Sequence, residues 1–174
     1  LQHIPVEDVD ANGSQSILYD IVSLIKATKK SDVILILGVS GCCFLPIYRL
    51  FLKKRLVINI DGLEHRREKW GKYAKAFLKF SEKMAVKYAD AVIADNKGIQ
   101  DYVREEYGKE AELIAYGGDH VLCDIADVEE QILEKYGLKN ICYSFSLCRI
   151  EPENNVHVIL EAFKASGKEL FFVG

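Results

Sequence analysis

Residues 55–94 read RLVINIDGLEHRREKWGKYAKAFLKFSEKMAVKYADAVIA, and this stretch decides the fold. It opens on Arg55–Ile60, a short run of branched apolar residues of the kind a buried parallel strand carries. A polar segment, Asp61-Gly-Leu-Glu64-His65-Arg66-Arg67, follows. Lys69–Ala89 then repeats apolar residues at helical spacing, which predicts a long amphipathic helix. Ala91–Ala94 is a second apolar run. Strand, helix and strand with short joins make a unit whose two strands run parallel.

The alternation continues outward in both directions. Upstream, Ser14–Lys29 has helical spacing with Ser14 or Ser16 as its cap, and Asp32–Val39 reads as a strand. Gly41–Lys54 reads as a helix interrupted near Pro46. Downstream come a helix at Lys97–Tyr107 stopped by Gly108 and a strand at Glu112–Ala115 closed by Gly117-Gly118. A helix at Asp127–Tyr136, a strand at Ile141–Leu147, a helix at Asn155–Ser166 and a strand at Leu170–Val173 complete the chain. The fold class is therefore α/β, a parallel sheet flanked by helices. A boundary falls near Asp119–Lys139, where the strand–helix–strand pattern restarts after an acidic helix.

Composition agrees with a globular chain. There are 174 residues, 49% hydrophobic and 28% charged, enough for a buried core. A net charge of −3 gives no general attraction to nucleic acid, so no nucleic-acid partner is expected. The cysteines, Cys42, Cys43, Cys123, Cys142 and Cys148, form no C-x-x-C pair, and His3, His65, His120 and His157 are scattered. That pattern predicts reduced, mostly buried thiols of a cytoplasmic protein and no metal site. The longest aliphatic run, Val33 to Leu37, is far short of the ~20 residues that span a bilayer. The first residues lack the basic and apolar regions of a secretory signal. Leu1 in place of Met, and a last strand ending at Gly174, predict a piece of a longer chain.

In parallel sheets ligands sit beyond the carboxyl ends of the strands. Small and polar residues cluster there: Gly38-Val-Ser-Gly41, Asp61-Gly62, Asp95-Asn96, Tyr116-Gly-Gly-Asp119 and Cys148-Arg149. Strand ends need turn formers in any case, so this placement alone leaves function open. Within 61–67, Asp and Glu can accept hydrogen bonds from sugar hydroxyls, Arg can grip phosphate, and His65 is a base near neutral pH; the bland reading is a solvated loop. Arg149 stands where a phosphate-binding cation belongs. Glu153 and Glu161 have seven residues between them, a spacing known from retaining glycosyltransferases. It is rejected here, because both lie just after the second domain's first strand. In Lys69–Ala89 the residues Lys69, Lys72, Lys75, Lys79, Lys83 and Lys87 share one face at ~100° per residue. They form either a solvated face or a surface for anionic lipid. Trp70, Tyr73, Phe77, Phe80, Met84 and Tyr88 occupy another face and read as core.

Three separated blocks carry a family resemblance. The stretch INIDGLEHRREKWGKYAKAFLKFSEKMAVKYADAVIADNKGIQDYV, then IAYGGD, then SLCRIEPENNVHVILEAF resembles bacterial rhamnosyltransferases of the family 4 type. The resemblance implies a partial GT-B glycosyltransferase built on Rossmann-like domains. Residues 1–118 would be the later part of an N-terminal acceptor-binding domain, 119–138 a connector, and 139–174 the beginning of a C-terminal nucleotide-sugar domain. It places Asp61, Gly62, Glu64 and Arg66 on the acceptor side of the cleft, where His65 replaces a frequent Trp. Gly117, Gly118 and Asp119 match the turn before the connector. Arg149 matches the arginine directed at the donor diphosphate, and Asn154 stands where a lysine partner is usual. Catalytic residues are not indicated. The implied activity is transfer of a sugar, such as rhamnose from dTDP-rhamnose, to a glycan or lipid-linked acceptor in polysaccharide biosynthesis. The nucleotide-sugar is substrate, with no cofactor or protein-bound metal. The setting implied is the cytoplasmic face of the membrane, with peripheral contact. Self-association through unpaired strands of the second domain is also expected. The competing reading is a non-catalytic α/β nucleotide-binding or regulatory module.

Overall fold

In the computed structural model, residues 15–119, 122, 126–139 and 141–174 are described. Ser14, offered as a helix cap, and Cys123 lie outside them. The chain divides into two compact units, residues 1–116 and 117–174.

The first unit holds α1 (Gln15–Thr28), β1 (Val33–Leu37), α2 (Leu45–Phe51), β2 (Arg55–Ile60), α3 (Lys72–Tyr88), β3 (Ala91–Ala94), α4 (Lys97–Tyr107) and β4 (Glu112–Leu113). Its four strands form one parallel sheet in the order β1-β2-β3-β4. The register aligns Ile36 with Ile58 and Ile58 with Val92. Partners in a parallel register share a face. Ile34, Leu56, Ile58, Ile60, Val92 and Ala94 therefore build one buried surface, packed with Cys42, Leu45, Tyr48, Ala85, Val86 and Val103. On the opposite face Val33, Leu35 and Leu37 are exposed, and Asn59 is buried and donates to the Tyr116 hydroxyl at 2.8 Å.

The sequence misplaced the role of Pro46. A 3-10 turn, Ser40–Phe44, leads into α2, and Pro46 lies in its first turn. A helix's first N–H groups have no partner within it, so proline starts this helix rather than interrupting it. The α3 helix begins after Gly71, leaving Lys69 and Trp70 outside it. Asn96 caps α4 by accepting from the Ile99 N–H at 3.0 Å, and Gly108, at φ 64°, ends it.

The second unit holds α5 (Ala126–Lys135), β5 (Ser144–Leu147), α6 (Val156–Ser166) and β6 (Leu170–Val173), with β5 and β6 parallel. The fold class is α/β, with parallel sheets flanked by helices, as the alternation predicts. Of the four described cysteines only Cys42 is buried, which corrects the expectation of mostly buried thiols. Burial first, then Asp20 and Cys43, push the Cys42 thiol up to about 12. Among the described residues no helix is long and apolar enough to cross a membrane.

Candidate functional site

The carboxyl ends of β1 and β2 open side by side. Gly38, at φ 87°, turns the chain after β1 and donates its N–H to the Asn59 carbonyl at 3.3 Å. The turn at Ser40 and Gly41 lies against α1: the Ser40 hydroxyl bonds the Asp20 carboxylate, and a Cβ at Gly41 would run into the Asp20 side chain. Ser81 on α3 donates to the Val39 carbonyl at 2.5 Å and ties the same turn to the helix.

Between this turn, the loop after β2 and the start of α3 lies a cleft of about 630 Å³. Its polar walls include Ser40, Asp61 and Glu64, and its aromatic wall is Trp70, Tyr73 and Phe77. Glu64 is fixed from two sides. Arg67 Nη1 donates to its Oε1 at 2.9 Å and Trp70 Nε1 to its Oε2 at 3.2 Å. Burial works against its charge, but these two donors outweigh it and hold the carboxyl below its ordinary range. Among the described residues neither lysine nor arginine lines this cleft. Carboxylates beside aromatic faces suit a polyhydroxylated, uncharged ligand: the carboxylates accept from hydroxyls, and the rings cover C–H surfaces.

Asp61 and Glu64, expected beyond the end of a strand, stand in this cleft wall, and the aromatic row departs from the core placement that its spacing predicts. Trp70, Tyr73 and Phe77 do not enter the core; Tyr73 is 91% exposed and Phe80 50%. The buried row of α3 is Leu78, Ser81, Glu82, Ala85 and Val86. This row touches the Val39–Ser40 backbone, a close approach that small residues permit. Gly62 sits in the turn with space for a Cβ. Arg66 is exposed, and its guanidinium lies 5.1 Å from the centre of the Tyr102 ring rather than in the cleft wall.

A second cluster adjoins the loop. Glu82, 0% exposed, receives the hydroxyls of Tyr102 and Tyr107 on Oε1, at 2.6 and 2.5 Å. Its Oε2 lies 3.1 Å from His65 Nδ1. Lys79 Nζ lies 3.6 Å from Glu82 Oε1, pairs with Glu106 at 2.9 Å and donates to the Tyr102 hydroxyl. Burial, then the bond to Glu82, raises the pKa of both tyrosines. Burial opposes the Lys79 charge, but Tyr102 and Glu106 outweigh it and raise its pKa. Lys79 therefore leaves the solvated stripe that the spacing predicts. The signal for Glu82 was present but unread: an acid four residues after Leu78 and three before Ala85 sits in the buried row.

In the second unit Arg149 follows β5, its side chain 76% exposed and 3.8 Å from Glu151. Asn154 donates to the Arg149 carbonyl at 2.7 Å and holds that loop closed. Gly117, Gly118 and Asp119 are exposed, and Asp119 accepts from the Leu122 N–H at 3.1 Å. Among the described residues no three His, Cys, Asp or Glu side chains gather to hold a metal ion.

The family described as "Domain of unknown function (DUF1972)" matches residues 4–119. Among solved structures the chain is similar to the UDP-N-acetylglucosamine 2-epimerase from Rickettsia bellii, at 19% identity and a TM-score of 0.55. That likeness covers 94% of this chain and 45% of the other, so the chain spans less than half of that structure. At this identity it bears on the fold alone. No curated protein matches the chain.

Proposed function

The chain belongs to the DUF1972 family, and from that premise we propose that it serves in sugar transfer as the acceptor-side part of a GT-B glycosyltransferase. The observation that carries this reading is the 630 Å³ cleft at the carboxyl ends of β1 and β2, walled by Asp61, Glu64 and three aromatic rings. Such a wall suits a glycan, or the sugar end of a lipid-linked acceptor. Arg149 and Asn154, in the loop after β5, would face the donor diphosphate, and the donor proposed is dTDP-rhamnose. A cation at that point stabilises the charge that builds on the leaving diphosphate. The likeness to a structure named as a nucleotide-sugar enzyme supports this architecture.

The test uses the full-length protein with dTDP-rhamnose, UDP-glucose and UDP-N-acetylglucosamine as separate donors. Release of nucleoside diphosphate that depends on added glycan acceptor is the expected result. Arg149→Ala removes a charge-assisted contact and should weaken donor use about ten- to hundredfold. Nucleotide binding without acceptor-dependent release would instead make the protein a non-catalytic nucleotide-binding module. Donor kinetics unchanged within about twofold in Arg149→Ala would take this residue out of the donor site.

A further inference from the structure

One turn of the chain serves two sides. The 3-10 turn Glu64–Arg66 puts Glu64 in the wall of the cleft and brings His65 and Arg66 to α3 and α4. On the cleft side Glu64 is held by Arg67 and by Trp70, whose indole N–H donates to it at 3.2 Å. Trp70 stands next to Gly71, the cap of α3, so this bond joins the loop wall of the cleft to its helix wall. On the other side His65 is held by Glu82, in the middle of α3. Glu82 accepts the Tyr102 and Tyr107 hydroxyls on Oε1, with the Lys79 ammonium 3.6 Å away, which leaves Oε2 to accept from His65 Nδ1 at 3.1 Å. Donors converging on one buried carboxylate fix where it points: its side chain is 1% exposed, and that of His65 13%. Arg66 adds a tie of its own, with its guanidinium 5.1 Å from the centre of the Tyr102 ring. Arg66 is exposed, and an exposed cation–π contact is worth less than a hydrogen bond to a charged group, so the His65–Glu82 bond is the stronger tie.

We propose that His65 and Glu82 are positioning residues of the cleft: their bond holds the turn so that Glu64, the residue before His65, stays in the wall within reach of Trp70. Neither of them touches the ligand. The inference deepens the sugar reading of the cleft and rests on it for the choice of ligand alone. Its reason lies in what each wall hangs on. Tyr73 and Phe77 belong to α3, whose buried row anchors them to the core. Asp61 and Glu64 belong to a loop, and a loop opens locally at little cost unless it is tied down. Its ends are fixed by β2 and α3. In its middle Leu63 packs against the core, but apolar contact is non-directional, whereas a hydrogen bond sets orientation. The His65–Glu82 bond supplies that direction. Without it the turn can swing away from α3, and the Glu64 carboxylate is no longer in place before a ligand arrives. A group that must be ordered on binding costs affinity, and one already ordered does not.

Trp70 is the single tryptophan of the 174-residue chain, so its indole N–H gives one signal that can be read without a ligand. In the wild type that proton should exchange with water more slowly than in free indole, because Glu64 accepts it. His65→Phe keeps a ring beside Tyr102 and removes the donor, and indole exchange should become about tenfold faster. His65→Asn, whose amide nitrogen lies near the place of Nδ1, should restore most of the slowing. Arg49→Ala loosens the far end of α3 and lowers the urea midpoint, yet should leave the Trp70 signal unchanged. A merely structural role would move that signal in all three variants in step with stability. Binding is read from Trp70 fluorescence with methyl α-L-rhamnoside, methyl α-D-glucoside and methyl β-D-N-acetylglucosaminide. A glycoside that binds the wild type should bind His65→Phe about tenfold more weakly and His65→Asn within about twofold of the wild type. Exchange or affinity unchanged within about twofold in His65→Phe, or a wild-type proton that is not slowed, overturns the inference and leaves the sugar reading standing. Failure of every glycoside to bind the wild type overturns the sugar reading, and indole exchange then decides by itself whether His65 positions the wall. If His65→Phe does not fold, Glu82→Gln takes its place: faster exchange is expected, and exchange like that of the wild type overturns the inference.

Discussion

Glu64 and Asp90 show how single residues set a pH limit on the fold. Hydrogen bonds from Arg67 and Trp70 outweigh burial at Glu64 and lower its pKa from 4.5. At Asp90, the Arg49 guanidinium and the Leu56 N–H lower it from 3.8. Both carboxyls bind protons less readily in the folded chain than in the unfolded one. Stability then rises with pH across their titration: it is fully present above the ordinary values and lost as pH falls through the lowered ones. The urea midpoint should stay level between about pH 7 and pH 5 and fall below about pH 4. Asp90→Asn and Glu64→Gln should each flatten that acid slope. A wild-type midpoint at pH 3 equal to that at pH 7 would contradict this account.

At the scale of elements, α3 does most to join fold and site. Its first turns wall the cleft, its middle holds Glu82, and its end is closed by side chains from elsewhere. The last carbonyls of a helix lack partners within it. Here Arg49 donates to the Tyr88 carbonyl at 3.0 and 2.7 Å, and Lys109 to the Val86 and Ala89 carbonyls at 2.8 and 2.6 Å. Two cations at the negative end of the helix also suit its dipole. Arg49→Ala should therefore cost about 1–3 kcal/mol in chemical denaturation, while exposed Lys53→Ala should stay within about 0.5 kcal/mol. The lysines that remain at the surface of α3 are Lys72, Lys83 and Lys87, with Lys75 half-buried. On them we place the proposed contact with anionic lipid, worth about 1 kcal/mol for each lysine near the surface. Co-sedimentation with anionic vesicles should be strong at low salt and weak at high salt, and the joint change of Lys72, Lys75 and Lys83 to Gln should reduce it. Equal binding to neutral vesicles would make the stripe a solvated face only.

At the scale of the whole molecule, the two units differ in how well they cover their strands. The sheet of the first unit has a continuous core on one face. Among the described residues the second unit pairs β5 with β6 alone, and Phe145, Leu147 and Val173 are 62%, 69% and 48% exposed. A two-stranded sheet with apolar exposed residues is weakly stable alone, and its edges invite further strands. Self-association of the chain is therefore expected, visible as a concentration-dependent sedimentation coefficient. Leu147→Lys should suppress it, because a charge at an edge opposes pairing. A concentration-independent monomer would remove the prediction.

The sequence by itself determined the parallel α/β plan. Arg55–Ile60, Ala91–Ala94 and Lys97–Tyr107 occupy the spans that their own periodicity and stop signals predict. These are local properties: a strand buried on both sides needs an unbroken apolar run, and a glycine at positive φ ends a helix wherever it stands. The acidic loop after β2 was legible for the same reason, since the end of a parallel strand is where a crevice forms. Only the tertiary structure decided which row of α3 is buried. The helix offers an aromatic row and a row of smaller residues with Glu82, and spacing alone favours the aromatic one. The choice falls to distant partners: the Val39 carbonyl accepts from Ser81 across 42 positions, and Tyr102 and Tyr107 reach Glu82 across 20 and 25. A buried carboxylate becomes tolerable only when such donors converge on it. That convergence comes from the packing of helices across the sheet, which no local stretch of residues encodes.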